Sequence, residues 1–174
     1  MPFDLAGDAA PRHLQDPSGI ILRPADDDDE VVAVFARALG ASVDPRDQLE
    51  VQRSGAHAVS EHMIKNARSG RYGCERDWWW IADVGGTSAG VVLPVIFRGC
   101  ARGDLDEGTI YHVGVALEHR GRGLGSLLLA KATDTLLAHG VWQISCDTAI
   151  ENASMIDVFE QQGWTRRPPL EIQS

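Results

Sequence analysis

The stretch from Ile110 to Gly125, IYHVGVALEHRGRGLG, constrains this chain more than any other part of it. It reads as an apolar strand from Ile110 to Leu117, a charged elbow of Glu118, His119 and Arg120, and a glycine turn that opens directly into a helix. Gly121, Gly123 and Gly125 let the backbone approach a ligand closely, because a residue without Cβ adopts φ > 0 at little steric cost. The first N–H groups of the following helix have no intrahelical partner and lie at the positive end of its dipole. Arg120 and Arg122 add two cations to the same turn, so the guest it suits is a phosphate or pyrophosphate.

A P-loop needs Gly-Lys-Ser/Thr after the turn, and this chain has Gly125-Ser126-Leu127. A dinucleotide fingerprint, G-x-G-x-x-G, meets Ser126 at its third position, although Asp147 stands about 20 residues on, where a ribose-binding acid would be. Three charged or titratable residues separate strand from first glycine, and the 27 residues after Asp147 are too few for the rest of such a fold. The pattern that fits is R-x-x-G-x-G, met by Arg120, Gly123 and Gly125, with Ser126 completing the turn. It resembles the acyl-CoA pyrophosphate loop of the GNAT superfamily of N-acyltransferases, and the similarity runs from about Ile20 to Trp164.

The resemblance implies an α+β fold in α/β/α layers. Its central sheet is mixed but mostly antiparallel, with about six to seven strands splayed at the cofactor site and about four flanking helices. It implies acetyl-CoA as co-substrate, released as CoA, and a primary amine as acceptor: a small cationic amine, or a protein N-terminus or lysine. Residues 1–18 are expected to be an N-terminal arm and 19–174 a single domain. Relatives are commonly dimeric, so a homodimer is the assembly the resemblance suggests. A non-catalytic module that binds acyl-CoA and regulates a partner is the alternative from another class.

Composition agrees with an ordinary globular domain. A chain of 174 residues buries about 70% of its unfolded surface without needing staples. Cys74, Cys100 and Cys146 are odd in number and contain no C-x-x-C pair, which argues against a disulfide framework and structural zinc; no metal site is expected. No cationic-then-apolar leader is legible and no apolar run reaches about 18 residues, so the expectation is a soluble, cytoplasmic protein. The net charge is −9, with −6 in residues 1–60; this disfavours nucleic acid and anionic membranes as partners and favours a cationic substrate.

Along the chain, Ile20 to Arg23 gives a strand stopped by Pro24. The acids Asp26 to Glu30 suit the start of a helix outlined by Val31, Val34, Phe35 and Ala38, and one of them could meet a substrate ammonium. Pro45 to Arg71 is polar and loosely helical, with His57 and His62 at a spacing unsuited to metal. Trp78, Trp79 and Trp80 lead into a strand, on which neighbours point to alternate faces and one could wall the acceptor pocket or meet a cation. Gly85-Gly86 turns that strand into Ala89 to Phe97, and Gly99 to Gly108 reads as a polar loop. After the glycine turn, Leu124, Leu128, Ala132 and Leu136 form an apolar helical stripe ended by Gly140. Trp142 to Asp147 then makes a strand parallel to the central one. Asn152 caps a last helix carrying Met155, Val158 and Phe159, and Trp164 begins a short final strand or tail.

The resemblance further implies that the central strand splays near Val113, Gly114 and Val115, freeing backbone groups for pantetheine and for an oxyanion. Gly114 within a strand suggests a bulge or a close ligand approach. Cofactor contacts are carried over to Arg120, Gly121, Arg122, Gly123, Leu124, Gly125 and Ser126, with Asn152 on the pantetheine arm. Many relatives place a proton-donating tyrosine where this chain has Phe159, which cannot donate, so Ser154 or water would serve. The general base stays open among His112, Glu107, Tyr111 and Asp83, with His112 having the best intrinsic pKa for an ammonium near neutrality.

Overall fold

The computed structural model describes residues 1–7 and 19–167. Its strands are β1 (Pro2–Ala6), β2 (Ile20–Pro24), β3 (Tyr72–Gly73), β4 (Trp80–Val84), β5 (Thr87–Arg102), β6 (Leu105–Val115), β7 (Gln143–Asp147) and β8 (Thr165–Arg166). Its helices are α1 (Asp28–Leu39), α2 (Pro45–Ser54), α3 (Ala56–Arg68), α4 (Leu124–Ala138) and α5 (Ala153–Gln161). The strands form one sheet in the order β2-β4-β5-β6-β7-β1-β8, with β3 on β5. All pairs are antiparallel except β6 with β7, so the expected mixed, mostly antiparallel sheet is present. The strand count exceeds expectation because of β1, read as part of an arm, and β3, a two-residue strand too short to show a period.

Two apolar layers sandwich the sheet. On one side α1 and α3 pack through Val31, Phe35, Leu39, Val59 and Ile64 against Trp79, Ile81, Val91 and Leu93. On the other, α4 and α5 pack through Leu128, Leu136, Ile156 and Phe159 against Phe3, Val92, Ile110 and Ile144. The acids before α1 cap and bridge. Asp27 accepts the Asp29 N–H (2.9 Å), Asp28 pairs with Arg68 (3.2 Å), and Glu30 pairs with Arg23. The link Gly85-Gly86 turns with φ of 58° and 80°, the left-handed pair that a two-residue hairpin requires.

Several expectations are corrected. Pro2–Ala6, read as part of an arm, is a strand inserted between β7 and β8 and paired along its length with β7. The rest of that arm, 8–18, and the end of the chain, 168–174, lie outside the described residues. The expected loop from Gly99 to Gly108 is mostly strand: β5 and β6 continue as a hairpin arm that turns at Gly103 and Asp104. Its side chains are largely exposed, so no alternation marks it. The tryptophan strand begins only at Trp80, because Arg76–Trp78 is a 3-10 turn. Trp79 is buried under the Arg68 guanidinium, 3.6 Å from its ring, while the Trp80 indole donates to Thr135 on α4 (3.0 Å). Both cations over these rings, Arg68 and Lys131, belong to the protein itself. Among the described residues, no helix is long and apolar enough to cross a membrane.

Candidate active site

The β6–β7 ladder lasts for three pairs, Glu107 to Thr109 against Gln143 to Ser145, and then the strands part. Into the gap opens a cleft of about 700 Å³, lined by Val113, Gly114 and Val115 on β6, Cys146 and Asp147 on β7, and the turn before α4. The splay therefore begins earlier than the sequence suggested. Val113 to Val115 remain paired on their other side to Gly90 to Val92 on β5, which holds the open edge straight.

The turn at the mouth of this cleft is shaped by two glycines. Gly121 (φ 72°) and Gly123 (φ 81°) are both left-handed, and a Cβ on either would meet nothing within 4 Å, so conformation and not crowding selects glycine here. Gly123 is the N-cap of α4 and offers no side chain, and the first intrahelical bond joins the Leu127 N–H to the Gly123 carbonyl (3.1 Å). The N–H groups of Leu124, Gly125 and Ser126 precede that bond and face the cleft end of the helix. His119 Nδ1 is buried there without a partner. A pyrophosphate fits this turn: it needs convergent N–H donors and close backbone approach, and both are present.

The two arginines of the motif behave differently. Arg122 is exposed and is not in the cleft wall. Arg120 lines the cleft, but its guanidinium donates to the carbonyls of Val115 (3.0 Å), Ala41 (2.8 Å) and Ala38 (3.3 Å). Ser126 is tied to the far end of α5, where buried Gln162 donates to its carbonyl (2.7 Å) and hydroxyl (3.0 Å). Nothing in the sequence marks Gln162 for this. Asn152 caps α5, accepting the Met155 N–H (3.3 Å), and lines the cleft together with Ser154 and Phe159.

The bulge expected at Gly114 is at Tyr111. Leu93 pairs with His112 and Pro94 with Ile110, leaving Tyr111 as the extra residue opposite a proline that lacks an N–H. The consequence is that Tyr111 and His112 both lie on the α1–α3 side, while Ile110 and Val113 pack on the α4 side. Gly114 is required by a close approach, but of protein: a Cβ there would come within 2.7 Å of the Ala38 Cβ on α1.

His112 stacks on Phe35 with ring centroids 4.1 Å apart and faces the cleft. Burial pushes its pKa down to about 4, against a small opposing pull from Asp44. It is neutral at physiological pH. Since its native pKa lies below the ordinary histidine value of about 6.5, the unfolded chain binds the extra proton between those values, and stability falls as pH drops from about 6.5 to about 4. His112→Gln is expected to flatten that part of the stability curve, read by urea denaturation at pH 7 and pH 4.5. An unchanged slope would remove His112 as its source.

Tyr111 accepts a hydrogen bond from Asn66 Nδ2 (3.0 Å), and burial raises the phenol pKa, so it is held protonated. It therefore fits a donor better than the base suggested from sequence. Glu107 accepts from Ser145 on β7 and lies outside the cleft wall. Asp83 is committed to Arg23 (2.7 Å) and Ser88 (3.0 Å), also away from the cleft. His57 and His62 are exposed on α3, and the tryptophans are absent from the cleft wall.

The acids that do face the cleft are Asp44, Asp47 and Glu50 from the start of α2, with Asp147 and Glu151 opposite. Asp47 accepts from Ser42 Oγ (2.6 Å), and burial raises its pKa, with Asp44 and Glu50 adding to the effect. None of the acids preceding α1 reaches this wall. The acids that line the cleft on this side thus stand one helix later in the chain than those named from the sequence. Cys146 also lines the cleft, but burial pushes its thiol far up, leaving it protonated.

A family model described as the acetyltransferase (GNAT) family matches residues 53–164, well over half of the chain. The chain belongs to the GNAT acetyltransferase family. The matched span holds the glycine turn, the splayed strands and the capped last helix. Solved structures agree on the fold. A putative GNAT acetyltransferase from Novosphingobium aromaticivorans aligns with TM-score 0.55 and 22% identity, over 95% of this chain and 59% of that one. The present chain thus spans less than two thirds of that relative. Aminoglycoside acetyltransferase AAC(6')-Iy, bound to a bisubstrate analogue, aligns with TM-score 0.59 and 15% identity over 90% and 98%. Glucosamine-6-phosphate N-acetyltransferase from Arabidopsis thaliana gives 0.57 and 16% over 89% and 97%. No curated protein matches the sequence.

Proposed function

We propose that this GNAT-family protein transfers an acetyl group from acetyl-CoA to the primary amine of a cationic acceptor by direct attack on the thioester. The observation that carries this reading is the meeting, in one cleft, of an unpaired β6 edge, the open N-terminus of α4 and a carboxylate-lined wall. The bound thioester supplies the activated acyl group; the chain supplies the rest. The turn from Gly121 to Ser126 holds phosphate through backbone N–H groups. The edge at Val113 to Val115 offers N–H and C=O groups to the amides of the cofactor arm, and one N–H for the oxyanion, a term worth about 3 kcal/mol per donor. Neutral His112, a weak base because burial lowers its pKa, takes the proton only once attack has made the nitrogen strongly acidic in the tetrahedral intermediate, and the protonated Tyr111 hydroxyl or Ser154 returns one to the leaving sulfur.

Asp44, Asp47 and Glu50 favour an acceptor with a second positive charge and disfavour a phosphorylated one. Among the structural relatives, an aminoglycoside fits this wall better than glucosamine 6-phosphate does. Phe159 gives a second reading its one support: the position where many relatives carry a tyrosine is a phenyl ring 1% exposed, consistent with a module that binds acyl-CoA without turnover. Thiol release from acetyl-CoA, measured across polyamines, aminoglycosides, amino acids, peptides and sugar phosphates, separates the two. Release with polycationic amines is the expected result. Stabilisation by CoA without release from any amine would favour the binding module.

A further inference from the structure

Arg120 belongs to the phosphate-binding motif, yet three of its N–H groups are engaged by protein carbonyls. Two of those carbonyls, Ala38 and Ala41, lie at the C-terminal end of α1, and the third, Val115, ends β6. Three carbonyls from two elements, α1 and β6, thus converge on one guanidinium whose planar fork fixes their relative placement. The link just beyond is short and tightly knit. Ser42 Oγ donates to Asp47 (2.6 Å), the Asp44 N–H donates to Ser42 Oγ (3.1 Å), and Gln48 Nε2 donates to the Ser42 carbonyl (3.0 Å). Any displacement of Ala41 is therefore carried into the start of α2.

That helix is otherwise lightly held, with Val51 packed against the core as its apolar anchor. It buries none of its residues, and Gly55 (φ 82°) joins it to α3. Its bridge across the cleft, Arg46 to Asp147 at 3.9 Å, joins two largely exposed side chains and contributes little. Yet α2 and its cap supply Asp44, Asp47 and Glu50 to the cleft wall.

We propose that Arg120 is a positioning residue that couples occupation of the phosphate turn to the placement of α2, so that a bound CoA sets the acceptor wall. Phosphate in the turn from Gly121 to Ser126 fixes the adjacent Arg120, Arg120 fixes Ala38 and Ala41, and the Ser42 knot passes that position to the acids of α2. The inference rests on the cofactor reading of the turn, and its test distinguishes the two.

The test is hydrogen exchange read by mass spectrometry, with CoA affinity from calorimetry, on the full chain and on Arg120→Met and Arg120→Lys. In the wild-type protein, CoA is expected to slow exchange over residues 40–54 by about tenfold, within the usual range of coupling between sites. Arg120→Met should keep CoA affinity within about threefold yet lose most of that protection. Arg120→Lys, which retains the charge but cannot span three carbonyls, should lose it too; this variant also serves if the methionine variant melts early. Wild-type protein that binds CoA without protecting 40–54, or variants that keep full protection, would overturn the coupling alone. A loss of CoA affinity beyond about tenfold in both variants would also overturn it, making Arg120 a phosphate ligand. Failure of the wild type to bind CoA would remove the cofactor reading along with it.

Discussion

Gly123→Val is expected to weaken CoA binding by at least about a hundredfold, the loss of two or so charge-assisted hydrogen bonds at about 1.5–3 kcal/mol each. The residue sits at φ 81°, ψ 2°, and a side chain there would strike nothing, so no clash is involved. Valine instead carries a conformational penalty of about 1–3 kcal/mol in the left-handed region, and it relieves that penalty by rotating the peptide. Rotation turns the N–H groups entering α4 away from their common focus. Calorimetric titration with CoA measures the effect directly, and a melting curve on the same sample shows that the sheet persists. A loss of less than about threefold would show that the cofactor's phosphates are held elsewhere.

The second large effect is structural. Phe159 stacks on Phe3 with ring centroids 4.8 Å apart and meets the Trp164 ring edge-on at 5.0 Å. It joins the last helix to the first strand, one of them from each end of the described chain. Phe159→Ala is expected to cost about 3–5 kcal/mol by cavity formation, which lowers the melting temperature by about 6–20 °C in a protein of this size. Because Phe159 also lines the cleft, acetyl-CoA KM should rise as well. Phe159→Leu, which refills most of the volume, should recover most of the stability. A melting shift below about 3 °C for the alanine variant would mean that the site collapses around the loss.

Much of the site could be read from the sequence because it is backbone chemistry written in glycine. Gly121 and Gly123 mark a turn whose shape depends on positive φ, and no other residue type would signal it as clearly. The stripe through Leu124, Leu128, Ala132 and Leu136 and the cap at Asn152 were legible for a similar reason, since local periods and caps are encoded by neighbours. The bulge was not. Its cause is Pro94 on the neighbouring strand, and pairing Pro94 with Ile110 depends on a register that nothing local fixes. The bulge in turn decides that Tyr111 and His112 share a side. Likewise, Arg120 looked like a phosphate ligand because it stands in the motif of a phosphate loop, whereas its own contacts include α1, some 80 positions earlier. The acidic wall was missed because Asp44, Asp47 and Glu50 belong to a capped helix that buries none of its residues, so burial gives no sign of which face meets the cleft.

The strand Pro2–Ala6 has a consequence for how the molecule assembles. It pairs Pro2 with Asp147 and Ala6 with Gln143, and β7 has only three pairs to β6 on its other edge. Pro2–Ala6 must therefore wait for residues some 140 positions later in the chain before it finds its place. Closing so long a loop adds entropy cost only slowly with length, but contacts of such separation slow folding. The wall of the cleft formed by β7 is thus steadied on its outer edge by a pairing of very long sequence separation, so that the opening between β6 and β7 depends on a strand remote from it in sequence.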